Sequence, residues 1–306
     1  MKKLFTIVFV IAVIAFVFLK TPSDFSRKDT LYAANFAIYD ALVSIVPDSG
    51  VVKLFIPAGE DIHSIQPNPQ MLAKASLSKR VFYVKGSLSG WMEHLVHGNH
   101  SIAFTDLSSG LDWIEGEVCH DHEEEHHDHE NSYDPHYWLS IPNQIQVASN
   151  LLKELKTIYP KQKDLLTKNY EKYSKSLKAV DAEAQKTLQT CKINKIVVTH
   201  NAFSYLAKNY HFKVRSIVGL TPESLSNPKK LKNIIELIRD NGPTTIFFED
   251  FISDLMAQTI SKEVNVTINK LHPLATISYQ EMRDKVDYET LMRENILKIA
   301  KAMQCQ

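Results

Sequence analysis

From Lys161 to Thr190 the chain has neither Gly nor Pro, and Leu166, Tyr170, Tyr173, Leu177, Val180, Ala184 and Leu188 recur at spacings of four and three. That is the period of an α-helix with one apolar stripe. Thirty residues at about 1.5 Å each span roughly 45 Å, enough to run the length of a two-lobed protein of this size. The spacing predicts one long helix joining two lobes.

On both sides of this helix short apolar runs alternate with amphipathic stretches. Before it, a strand near Leu31 runs into a helix through Ala41 and Val46, and Pro47-Asp48-Ser49-Gly50 is a turn signal. Val51–Ile56 reads as a strand, Gln70–Lys79 as a helix, Val81–Val84 as a strand, Trp91–Val96 as a helix, Ile102–Leu107 as extended and Asn143–Leu155 as a helix. After it come strand Ile196–Val198, helix Ala202–Tyr210, strand Phe212–Val218 and a helix opened by Asn227-Pro228 and ended by Gly242. Strand Thr245–Phe248, helix Ser253–Glu263, strand Val266–Ile268 and a terminal helix Tyr288–Met303 complete the chain. Such alternation implies α/β architecture with a mostly parallel sheet in each lobe. The expected organisation is an N-terminal lobe over 23–158, a connecting helix over 159–190 and a C-terminal lobe over 191–306.

The first residues belong to neither lobe. Lys2 and Lys3 precede sixteen residues, Leu4 to Leu19, that are apolar or small apart from Thr6. This is the layout of a secretory signal. No clean small-residue cleavage site follows, so residues 1–22 are read as a signal peptide or an uncleaved anchor, and the rest as exported. With 35 basic and 35 acidic residues in 306, the chain has no global field for nucleic acid or an anionic membrane. Three Cys (Cys119, Cys191 and Cys305) permit at most one intrachain disulfide.

Candidate chemistry centres on histidine. His120, His122, His126, His127 and His129 stand among Asp and Glu in a loop over 117–133 that has almost no apolar residue. It cannot bury itself, and it suits weak metal capture or sensing or serves as a solvated spacer. Four other histidines occupy distinct settings. His63, His200 and His272 each follow the end of an expected strand, and His136 lies in the tight segment Asp134-Pro135-His136-Tyr137-Trp138. Two belong to each lobe, so facing lobes would gather them in the cleft, where four neutral imidazoles make a tetrahedral zinc site. Glu60 and Asp61 are candidate acceptors behind a ligand imidazole. Glu249 is a structural acceptor near the site or, beside three His, an alternative fourth ligand. His94, His97 and His100 are surface residues, or a peripheral metal site. Trp91, Tyr137, Trp138 and Tyr205 are expected to pack around the cleft.

Taken together, PAGEDIHSIQPNP (57–69), DPHYW (134–138), THNAFSYLAKNY (199–210), IFFEDFIS (246–253) and the terminal Tyr288-x-x-x-Met292-Arg293-x-Asn295 resemble the substrate-binding proteins of zinc and manganese ABC importers, of the high-affinity zinc-uptake type. The resemblance covers nearly the whole mature chain. It implies two α/β lobes joined by a rigid helix, His63, His136 and His200 as ligands, Zn²⁺ as cargo, delivery to a membrane ABC permease and a monomer. It also implies a second-lobe disulfide, for which Cys191 and Cys305 are the candidates. His272 stands where the family usually carries Asp. That His, with His200, turns the site from manganese toward zinc, because manganese prefers carboxylate oxygen. Alternatives are a manganese-type or adhesin-like metal-binding protein and a zinc hydrolase, the last needing an open coordination position and a base such as Glu60, Asp61 or Glu249.

Overall fold

A computed structural model of the chain describes residues 29–62, 65–66, 68–86, 90–98, 101–115, 133–216, 245–249 and 266–306, together with 236, 239, 262 and 263. The N-terminal segment 1–22, His63, His100, the His-rich loop and the helices expected from Asn227 and Ser253 lie largely or wholly outside them.

In the first lobe, β1 (Leu31–Ala33) leads into α1 (Phe36–Ile45), whose N-cap Asn35 accepts the Ile38 N–H. β2 (Val52–Leu54), α2 (Pro69–Ser76), β3 (Arg80–Tyr83), α3 (Gly90–Gly98) and β4 (Phe104–Asp106) follow, and all pairings are parallel in the order β2-β1-β3-β4. β1 and β3 are buried almost along their lengths, as strands covered on both faces must be. His94 and His97 on α3 face solvent, in keeping with the surface reading.

α4 (Ile141–Ile158) begins at Ser140, whose hydroxyl accepts the Asn143 N–H. The connecting element is a short 3-10 turn, Pro160–Gln162, and then α5 (Lys163–Thr187). Its 25 residues are fewer than the thirty read from the sequence, because Pro160 and the non-helical Gln162 delay the start and Leu188 ends it. At 1.5 Å per residue it is roughly 38 Å long. Leu166, Tyr173, Leu177, Val180 and Ala184 form its buried stripe.

The second lobe repeats the pattern. β5 (Lys195–Val198), α6 (Ser204–Tyr210), β6 (Lys213–Ser216), β7 (Thr245–Glu249) and β8 (Thr267–Leu271) give a parallel sheet ordered β6-β5-β7-β8. α7 (Tyr279–Asp284) and α8 (Tyr288–Met303) close the chain. α8 packs on α5 and on β5 of the second sheet. Cys191 and Cys305 form a disulfide that ties the chain end to the entrance of β5. In both sheets the strand order reverses about the first strand, β1 or β5. Open α/β sheets place their ligands in the crevice outside the strand ends at such a point.

Candidate metal centre

β5 delivers His200 into that crevice. Its apolar run ends at Val198; Thr199 and His200 follow directly, 0% and 1% exposed. The Thr199 hydroxyl has no hydrogen-bond partner among the described residues. His136 comes from the first lobe, at the entry of the turn Tyr137–Leu139. Asp134 folds this segment. One of its carboxylate oxygens accepts the His136 backbone N–H at 3.0 Å and faces His136 Nδ1 at 2.7 Å. The first contact is an Asx turn. The second puts the ring proton on Nδ1 and makes Nε2 the basic nitrogen of the ring. The Asp134 carboxylate thus orients the His136 ring, a role that the sequence reading passed over, although an Asp two residues before a His is a legible signal.

The His136 and His200 rings lie with their centroids 4.9 Å apart, inclined at 73°. Two imidazoles bound tetrahedrally to one zinc at about 2.1 Å would have ring centres roughly 5 Å apart. Trp138 lies edge-on to His136 at 5.5 Å and shields the pair from water. Trp138 and Tyr205 are buried here, together with Tyr137.

His272 follows β8 as expected and is 5% exposed. Its ring, however, is engaged on both sides. Nδ1 accepts the Leu274 N–H at 3.0 Å, which leaves the ring proton on Nε2, and that N–H faces a Glu281 oxygen at 3.6 Å, a polar contact longer than a normal hydrogen bond. Asn295 holds the residue further, accepting its N–H at 2.9 Å and donating to its carbonyl at 2.8 Å. The His272 ring, with help from Ser278, holds the Glu281 carboxyl down at about 2. As placed, His272 braces its own segment and offers no free lone pair. Among the described residues no three His, Cys, Asp or Glu side chains converge on a common point.

That segment, 273–279, crosses from the second lobe onto the first. The Pro273 carbonyl accepts from Trp138 Nε1 at 2.8 Å, the Ala275 carbonyl from Phe36 N–H at 2.8 Å and the Ile277 carbonyl from Gly59 N–H at 2.9 Å. Gly59 adopts φ of +80°, which a side chain would strain, and lies against the Tyr279 ring. The loop expected to carry His63 is therefore pinned at its start. Ile62 is buried, Asp61 half-buried and Glu60 exposed, so Asp61 is the better placed of the two candidate acceptors. Glu249 ends β7 beside Leu271 of β8.

Fold and geometry define a two-lobed α/β protein with a buried imidazole pair contributed by facing lobes. The chain belongs to the zinc-uptake complex component A (ZnuA) family, whose model matches residues 31–302. It is 27% identical over 275 residues to the zinc-binding lipoprotein AdcA of Streptococcus pneumoniae, covering 88% of this chain and 54% of that protein. It thus spans about half the length of that relative. The high-affinity zinc uptake system protein ZnuA of Bacillus subtilis is 27% identical over 283 residues, covering 89% and 87% of the two chains. Among solved structures, the Zn(II)-bound ZnuA-like domain of S. pneumoniae AdcA superposes with a TM-score of 0.76 at 22% identity, over 90% of this chain and 98% of that one.

Proposed function

We propose that this protein captures Zn²⁺ outside the cytoplasm and delivers it to an ABC-type membrane permease. Its role is binding, not catalysis. The observation that carries this reading is the His136–His200 pair, one imidazole from each lobe at a spacing that suits a single tetrahedral ion. The names of its relatives, a zinc-binding lipoprotein and a high-affinity zinc uptake protein, support the cargo. Neutral imidazole ligands favour zinc over manganese, which prefers carboxylate oxygen.

His63, His136 and His200 are the proposed ligands. His272 enters the shell only if its ring leaves Leu274, and otherwise the fourth position falls to water or a carboxylate. Residues 1–22 serve as export signal or anchor. The His-rich loop collects metal weakly and passes it on.

Titration of the purified protein with Zn²⁺ against a chelator tests this. One tight site is expected, weakening below about pH 6 as protons compete for imidazole. His136→Ala and His200→Ala should each lose at least about a hundredfold in affinity, as removal of a whole ligand exceeds the 10–100-fold typical of outer-shell changes. Deleting Cys119 to Glu130 should leave the tight site in place and lower the total zinc bound. Wild-type affinity in both His variants would refute the ligand assignment.

A further inference from the structure

The two imidazoles belong to different lobes, so their spacing depends on what holds the lobes in register beside them. α6 starts four residues after His200 and lies against the first-lobe segment that carries His136. Tyr205, on its first turn, is 1% exposed. Its hydroxyl donates to the Asp134 carbonyl at 2.9 Å and accepts the Ile114 N–H at 3.3 Å. Asp134 N–H in turn donates to the Ile114 carbonyl at 2.8 Å. The phenol oxygen is thus inserted between two first-lobe strands of backbone, at the residue whose carboxylate orients His136. One turn on, Asn209 Nδ2 donates to Ser140 Oγ, the N-cap of α4, at 3.0 Å. The Lys208–Asp112 ion pair on the same helix is exposed and lies outside this clamp.

We propose that Tyr205 is a positioning residue, whose hydroxyl sets the distance between His136 and His200 and hence the shape of the zinc site. This rests on the metal-site reading above. The buried ring cannot slide, so its oxygen fixes where the Asp134 backbone sits relative to α6. Asp134 then passes that position to His136 through its carboxylate, and α6 passes it to His200 through the short link 201–203. Removing the oxygen leaves the Asp134 carbonyl and Ile114 N–H without this partner and frees the 133–136 segment to move away from His200. A merely structural tyrosine would lower the stability of the apo protein without touching the bound metal's geometry.

The test compares wild type, Tyr205→Phe, Asn209→Ala and Lys208→Ala by zinc release in a chelator chase and by the visible absorption of the Co²⁺-loaded protein. Tyr205→Phe should release zinc about tenfold faster, in line with the 10–100-fold loss of affinity typical of residues behind a metal ligand, and should change the Co²⁺ spectrum. Asn209→Ala should shift both in the same direction by less, and Lys208→Ala should match wild type. A Tyr205→Phe protein with the wild-type release rate and spectrum overturns the proposal, even if its melting point falls. Should that variant fail to fold, Asn209→Ala decides, and wild-type behaviour there overturns it equally. If His136→Ala and His200→Ala bind zinc as wild type does, the site reading itself falls, and this inference with it.

Discussion

Asp40 lies where three helices meet. Tyr173 of α5 donates to one of its carboxylate oxygens at 2.9 Å, and the Tyr288 N–H at the start of α8 donates to the other at 3.1 Å. The positive end of α8 and both bonds favour the carboxylate, yet burial outweighs them, and with Asp287 and Glu289 nearby it lifts the Asp40 carboxyl to about 6. A carboxyl that holds its proton more tightly folded than unfolded makes stability fall as pH rises between the two pKa values. From the ordinary 3.8 to about 6 the penalty builds to roughly 3 kcal/mol, and above that it is constant. Asp40→Asn keeps an acceptor for Tyr288 and removes the charge. The unfolding free energy of wild type relative to this variant should therefore drop by about 2 kcal/mol between pH 4 and pH 7. Denaturant melts at several pH values would show it, and a flat difference would refute the buried-charge account.

The elements whose patterns are periodic were readable in advance. α8 runs over the expected Tyr288–Met303 because Asp287 caps its start and Gln304 turns left-handed at its end. β8 extends to Leu271 rather than stopping at Ile268, since Asn269 and Lys270 interrupt the apolar run that marked it. α7 went unread. It is six residues long with none buried, so it has no apolar period, although Ser278-x-x-Glu281 is a capping box. The positions of His200 and His272 past strand ends were legible because loop position follows from the alternation of elements, while His63 lies outside the described residues. The bracing of His272 by Leu274, Asn295 and Glu281 was not, since it depends on which way a ring turns once α7 and α8 are in place. The Cys191–Cys305 link, raised only by resemblance, joins the end of α8 to the start of β5 across 114 residues. Closing a loop of that length restricts the unfolded chain by about 4–5 kcal/mol in the entropic account. Reduction, or the Cys191→Ser/Cys305→Ser double variant, should lower unfolding free energy by a few kcal/mol and leave zinc affinity unchanged, because the disulfide lies at the opposite end of β5 from His200. Loss of zinc binding on reduction would show that the disulfide shapes the site as well as the lobe.

Binding proteins that close on their cargo need a hinge, a few residues that absorb a large backbone change. Here the lobes are joined by an uninterrupted α5, and α8 of the second lobe packs along it. Arg293 of α8 pairs with Glu183 of α5, and Ser176 of α5 bonds Glu289. Tyr288 reaches across to the Trp138 carbonyl at 2.6 Å, next to the His136 turn. The 273–279 segment bonds Phe36, Gly59 and Trp138 from one side of the crevice, and Tyr205 and Asn209 bond the 114–140 region from the other. Swinging the lobes apart would break most of these together, among them buried bonds from Trp138, Tyr205 and Tyr288 whose loss leaves polar groups unsatisfied. On the proposed function, metal exchange proceeds through movement of short loops, with the scaffold unchanged. Small-angle scattering of the apo and Zn²⁺-loaded protein should give the same radius of gyration, while hydrogen exchange should change on zinc binding around 57–66 and 133–136 and remain steady along α5. A clear contraction on loading would mean that α5 bends, and that the contacts spanning the crevice are made only after the metal is bound.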